Sequence, residues 1–376
     1  MKKIKSLILA AVAISLTAPV FTSCSSDDSD ENLDNLVSEY SVNDNMVAAQ
    51  KAKSGKDVAV LLVAFGSTWN NAFLAFDKTK VAYETAFPEA DVYFCFSSDI
   101  CINRASIGEN KDDNGNIVKR DYYEPRYLLH AIGAAKYSKI YVQSLQVIPG
   151  EEFAAVVASV KKFMNNGYIA KAHLDDDYLA KLQEDEAIFL GLPLLNDPDV
   201  DVPNVATQLD ALYRTEAQQG VVAFMGHGNP DTYDTFKANV RYTQLEKALQ
   251  EKNPNYFVGT VDMADNYKQD VMARMQEKGI TSGKVYLHAL MSIAGDHAHN
   301  DMAGEGDEYW DADEEESEDN SWFEFFNHKG YEATVPVVGN HPLGLLELPG
   351  ILNIWIQHTK NAEFLEDAFH SMYPEE

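Results

Sequence analysis

Two apolar runs constrain the whole chain, VAVLLVAFG at residues 58–66 and GVVAFMGHG at residues 220–228. Neither alternates polar with apolar, so each reads as a strand buried on both faces of a parallel sheet. The segments downstream of the two runs correspond as well. ADVYFCFSSDI (90–100) matches NYFVGTVDMA (255–264) in position, and AIFLGLPLL (187–195) matches YEATVPVVG (331–339). KIYVQSLQVIPGEEF (139–153) matches KVYLHALMSIAGDHA (284–298) through Lys-x-Tyr, an apolar run and Ile-x-Gly-acid at constant offset. This is an internal duplication, with units beginning near residues 57 and 218. Helical periodicity separates the runs. Residues 71–86 carry Phe73, Phe76, Val81 and Ala82 as an apolar set, 124–136 open with Pro125 in the first turn, and EEFAAVVASVKKFMNNG ends at Gly167. Strand-helix alternation implies parallel sheets with right-handed crossovers. The fold class is α/β, with two similar lobes, residues 57–215 and 216–376, the last helix being free to pack back on the first lobe.

The segment ahead of the first strand reads differently. MKKIKSLILAAVAISLTAPVFTSC has a Lys-rich start, a short apolar run and small residues before Cys24. That pattern is a secretory signal over residues 1–23, and its ending on a cysteine resembles a bacterial lipoprotein signal. Cys24 is then the lipidated first residue, and the expected location is the cell envelope, lipid-anchored and either periplasm-facing or surface-exposed. Residues 24–56, rich in Ser, Asp, Asn and Glu, read as a flexible tether. The formal net charge of −29 argues against nucleic acid and anionic lipid surfaces as partners. Cys95 and Cys101 read as two buried thiols, although export would allow them to pair.

In open parallel sheets, function collects at the carboxyl ends of strands. Three strand ends of the second unit carry polar residues there: His227 in MGHGNPD, Asp262 in GTVDMAD and His297 in AGDHAHND. If the strands are neighbours, these side chains converge. Two imidazoles and a carboxylate suit a borderline divalent metal such as Co, Fe, Ni or Zn, with positions left open. The first unit has Phe65-Gly66 where the second has His227-Gly228, and Glu151-Glu152 where the second has Asp296-His297. The second unit is therefore expected to carry the chemistry. His288 reads as a core or supporting residue, and His299 and Asp301 as helix-start groups. His130, His328, His341 and His358 belong to no motif.

The ordered motifs VAFGST, QSLQVIPGEEF, GLPLL, MGHGNPDTY, GTVDMAD and LMSIAGDHAHNDMAG resemble the anaerobic sirohydrochlorin cobaltochelatases, class II tetrapyrrole chelatases, over roughly residues 57–365. The resemblance implies a chelatase-like fold with a cleft between two lobes. It implies insertion of Co²⁺, or Fe²⁺, into a tetrapyrrole, as in anaerobic cobalamin synthesis. It places metal-binding and catalytic roles on His227 and His297, and a third ligand role on Asp262, where the family usually has Glu. The candidates for contacting the ring are Phe65, Gly66, Ser67, Gln146, Gly228 and Met291. Gln146 stands where the family has a histidine, and VGNHPLG stands in place of its Gly-Leu-Gly-Glu pattern. The alternative reading is an envelope lipoprotein that binds haem or another tetrapyrrole for iron acquisition with little turnover. A homo-oligomer is compatible with either. After NDMAG, residues 305–319 hold ten acids. They read as a solvated acidic loop, or as a weak store of divalent cations beside the metal entrance.

Overall fold

The computed structural model describes residues 30–108, 116–168, 172–304 and 320–364. The signal segment, Cys24 and the acidic stretch 305–319 lie outside the described residues.

The apolar runs form strands. In the first unit these are β1 (Val58–Ala64), β2 (Ala90–Phe96), β3 (Lys139–Ser144) and β4 (Ile188–Gly191). In the second they are β5 (Val221–Gly226), β6 (Tyr256–Thr260), β7 (Gly283–Ala289) and β8 (Tyr331–Thr334). The first sheet has the order β2-β1-β3-β4 and the second β6-β5-β7-β8, all parallel. The duplication seen in sequence is thus a duplication of topology. A short strand, β9 (Glu363–Phe364), adds antiparallel to β4 at the edge of the first sheet.

Burial on both faces explains the lack of alternation in these strands. In β1, Val60, Leu62 and Ala64 face one apolar core while Ala59, Leu61 and Val63 face another. In β5, Val222 and Phe224 join the same core as Val60, and Val221, Ala223 and Met225 face a third. One central core is therefore shared by both sheets. It is filled by helices α2 (Asn70–Ala86), α7 (Asp201–Gln219), α8 (Val240–Gln250) and α11 (Pro349–Lys360), with Trp355 of α11 fully buried in it. Helix α11 packs against β3, β4 and α7, so the C-terminal helix belongs physically to the first sheet. Helix α7 runs through residue 215 without a break.

The outer layers are α4 (Pro125–Ala134), α5 (Glu151–Met164) and α6 (Asp176–Glu184) in the first unit, and α9 (Lys268–Glu277) and α10 (Trp322–His328) in the second, while α3 (Asp99–Ile107) packs on the central core and lines the cleft. In α2 the inward face is Phe73, Phe76, Thr79 and Tyr83; Val81, placed by periodicity on the apolar face, is 59% exposed. Tyr83 continues the inward face at helical spacing, and its hydroxyl accepts from Thr359 Oγ1 of α11 at 3.2 Å.

The expected tether is corrected over most of its length. Residues Asp30–Ser54 form a helix, α1, packed on α4. Tyr40, Asn43 and Val47 supply its buried face at i, i+3 and i+7 spacing. Asp44 meets His130 Nδ1 at 2.9 Å, and Lys51 Nζ donates to Asp57 at 2.7 Å. Val47→Asp would set a charge at a position with no solvent exposure. Unfolding free energy is expected to fall by about 2 kcal/mol or more in chemical denaturation. A change under about 0.5 kcal/mol, the range of ordinary surface substitutions, would mean that α1 does not dock.

Candidate active site at the interlobe cleft

The carboxyl ends of β1 and β3 in one sheet face those of β5 and β7 in the other across a cleft. Both walls turn on glycines. Gly66 has φ +119°, and a Cβ there would stand 2.7 Å from the Phe96 ring. Gly228 has φ +76°, and a Cβ there would stand 2.9 Å from Met263 N. Side chains would be strained at both positions, and the chain can turn away directly after each strand. Phe65, Gly66, Ser67, Gln146, Gly228 and Met291 all line this cleft together with His227 and His297. Phe65 is 45% exposed, an apolar ring presented to the opening.

The imidazole rings of His227 and His297 lie nearly perpendicular, with centroids 4.7 Å apart. Each is oriented through Nδ1. Gly228 O accepts from His227 Nδ1 at 2.6 Å, and Asp301 Oδ2 accepts from His297 Nδ1 at 2.5 Å. With Nδ1 carrying the proton, Nε2 of each ring presents its lone pair. A ligating histidine whose second nitrogen donates to a carboxylate or carbonyl is the usual supporting arrangement of a metal site. Asp301, read in sequence as a helix-start group, is thus the orienting carboxylate of His297. It reaches back four residues because the chain forms a π-helical turn over Ala298–Ala303. Its hydrogen bond and charge, helped by Asp262 and Asp296, hold the His297 imidazole above its ordinary 6.5 against the opposing effect of burial.

Asp262 sits beside these rings but not at their free nitrogens. Its Oδ2 is 3.7 Å from Nδ1 of His227, and its backbone N–H donates to His227 O at 2.9 Å. Among the described residues, no three His, Cys, Asp or Glu side chains are close enough as placed to hold a metal. The three predicted ligands are gathered at one sheet edge without being closed around one point. Such an open set differs from the closed four-ligand cage of a structural metal.

The opposite wall contributes Glu152, from the first turn of α5. Its side chain is accessible to water in the cleft yet enclosed by both walls. That enclosure pushes its carboxyl above the ordinary range, against the opposing pull of His227 and His297. The sequence holds the signal for it, since the duplication puts Glu152 at the offset of His297. Glu151 beside it is structural, accepting from Asn229 Nδ2 at 3.2 Å and from Thr235 N at 2.5 Å. Gln146 is 5% exposed; its Oε1 accepts from Ser144 Oγ, and its Nε2 has no partner among the described residues. His288 is a core residue, with Nε2 2.6 Å from Glu216 and its ring against Tyr213. Cys95 and Cys101 are not joined in a disulfide; Cys95 is buried, which raises its pKa, while Cys101, expected to be buried, is only half-buried and lines the cleft.

A divalent cation held by His297 would compete with a proton there, so its binding would strengthen as pH rises through the value of that imidazole. Asp301→Asn removes the charge that raises it, and the acid limb of Co²⁺ binding is expected to move to lower pH. The linkage to folding has the opposite sense. The protonated His297–Asp301 pair stabilises the metal-free fold below 6.5, and this contribution is lost as pH rises through the raised value. Asp301→Asn should therefore destabilise the metal-free protein more at acid than at alkaline pH. Co²⁺ titrations and thermal unfolding across the range check both signs; an acid limb that stays in place or moves up would contradict the assignment.

The family model described as cobalt chelatase (CbiK) matches residues 58–363. The chain is 26% identical over 299 residues to a sirohydrochlorin cobaltochelatase of Nitratidesulfovibrio vulgaris, covering 80% of this chain and 88% of that protein. It is 28% identical over 313 residues to the sirohydrochlorin cobaltochelatase of Salmonella typhimurium, covering 81% and 96%. Among solved structures, SirB from Bacillus subtilis with Fe³⁺ aligns with a TM-score of 0.45 at 13% identity, over 85% of this chain and 100% of that one. With the match spanning both sheets and both histidine loops, the chain belongs to the cobalt chelatase family.

Proposed function

We propose that the protein is a sirohydrochlorin cobaltochelatase, inserting Co²⁺ into the tetrapyrrole held in the interlobe cleft. The observation that carries the reading is the pair of imidazoles at 4.7 Å on the cleft wall, each with Nδ1 engaged and Nε2 turned to ligand duty. The relatives being chelatases favours insertion over the alternative of a haem-binding lipoprotein. The metal here is substrate, with Fe²⁺ as the other candidate.

Insertion exchanges one divalent cation for the two protons on the pyrrole nitrogens, so the site must hold a cation, release it and accept protons. His227 and His297 hold the cation as neutral donors, and a histidine freed as the metal leaves can accept a ring proton. Asp262 supplies negative charge beside them without sealing the site. Glu152, whose carboxyl is held above the ordinary range by its enclosure, is placed on the facing wall as a second proton acceptor. Phe65 and Met291 give the ring an apolar surface. The envelope location and the anchor through Cys24 rest on the signal sequence alone.

His227→Ala is expected to lower the rate of Co²⁺ insertion into sirohydrochlorin by about a hundredfold or more, followed by the shift of the ring's absorption bands. Full insertion by that variant would overturn the site. A stable haemin complex with no insertion by the parent protein would favour the binding-protein reading.

A further inference from the structure

The segment that carries His297 belongs by sequence to the second lobe, yet side chains of the first lobe hold it. Asn71 Nδ2 of α2 donates to Ala294 O at 2.9 Å. Ser67 lies against Gly295, where a Cβ would meet its hydroxyl at 3.2 Å. Trp69 makes two contacts. Its Nε1 donates to Asp296 Oδ1, and its indole stacks on His299 with centroids 3.7 Å apart and planes 5° from parallel. His297 lies between the two residues that Trp69 grips. The indole is itself fixed, since Trp69 N donates to Ser67 Oγ at 3.2 Å and Trp69 O accepts from Phe73 N in the first turn of α2. Arg104 of α3 adds a looser contact to Asp296 at 4.0 Å, both side chains being about half exposed.

The two histidine loops are thus secured differently. His227 O accepts from the backbone of Val261 and Asp262 at 3.0 and 2.9 Å, so its placement is tied to β6 within its own lobe, with Glu151 reaching only the loop beyond it. His297 sits on a segment whose flanking side chains are gripped from across the cleft. A change in the lobe-to-lobe distance therefore bears directly on the residues flanking His297, and on the spacing on which joint ligation depends.

We infer that Trp69 is a positioning residue: it clamps the Ala294–His299 segment to the first lobe and so sets His297 at the distance from His227 needed for both imidazoles to hold one cation. The inference rests on the metal-holding role given to these histidines under the proposed function. It makes closure of the cleft and tightening on the metal one event, and opening of the cleft a way to loosen the metal.

The test is Co²⁺ binding to the full chain without tetrapyrrole, by calorimetric titration and by the visible ligand-field bands of the bound ion, in the parent, Trp69→Ala, Trp69→Phe and His227→Ala proteins. Trp69→Ala should bind Co²⁺ about tenfold more weakly, with altered bands that report loss of one imidazole. Trp69→Phe, which keeps an aromatic face over His299 but not the donor to Asp296, should fall between it and the parent. Metal-free unfolding temperature serves as the control for a merely structural effect. Parent-like affinity and bands in both Trp69 variants, with His227→Ala defective, would overturn the clamp and leave the functional reading intact. If His227→Ala binds Co²⁺ like the parent, the functional reading fails and the clamp with it. Should Trp69→Ala not fold, Trp69→Phe decides alone, and its matching the parent overturns the inference.

Discussion

The structure depends on a single apolar core shared by two sheets. Alternate residues of β1 and β5 point into it from opposite sides, and α2, α7, α8 and α11 fill the space between. Because each central strand is buried on both faces, neither sheet can rotate freely without exposing one face to water. Burial of this kind is worth about 25 cal/mol per Å² of apolar surface. The shared core fixes how the strand ends oppose one another, and the cleft is the gap left where they meet. It also explains why the C-terminal helix returns to the first sheet. Trp355 fills the core and donates through Nε1 to Gln146 O, linking the last helix to the floor of the cleft.

The duplication supplied two equivalent edges that have diverged in chemistry. One bears His227 and His297, imidazoles of the kind that suit a borderline metal; the other bears Phe65, Gln146 and Glu152, which offer an apolar face, an amide and a raised carboxyl. A chelatase has to give its metal away. A ligand set that is gathered but not closed suits a cation in transit better than a complete cage would. The orienting bonds from Gly228 O and Asp301 fix the rings without filling their second nitrogens.

Much of the architecture is legible in the sequence because buried parallel strands write themselves as uninterrupted apolar runs, and the repeat of those runs implies two sheets with a common strand order. Helix α1 is not legible. Among its described side chains the buried set is Tyr40, Asn43 and Val47 within a polar segment, too sparse a stripe to stand out from a linker. In the site, His227 and Asp262 can be read because each follows an apolar strand closely, and His297 because it lies in the loop that leaves one. The duplication offset points to Glu152, but pairing it with His297 says nothing about its pKa, which enclosure by the facing wall raises. Asp301 reads in sequence as a helix-start group because its role comes from the π-helical turn, not from spacing alone. Trp69 leaves no signal in the sequence, as its partners Asp296 and His299 lie in the other lobe, far along the chain.

The central claim is that His227 and His297 share one cation at the cleft wall. Anomalous diffraction from a crystal soaked with Co²⁺, recorded across the cobalt edge, tests it most directly. The account predicts a single cobalt peak about 2.1 Å from Nε2 of both histidines, facing the gap between the lobes. Cobalt bound elsewhere, or bound to one of the two rings with the other turned away, would contradict it.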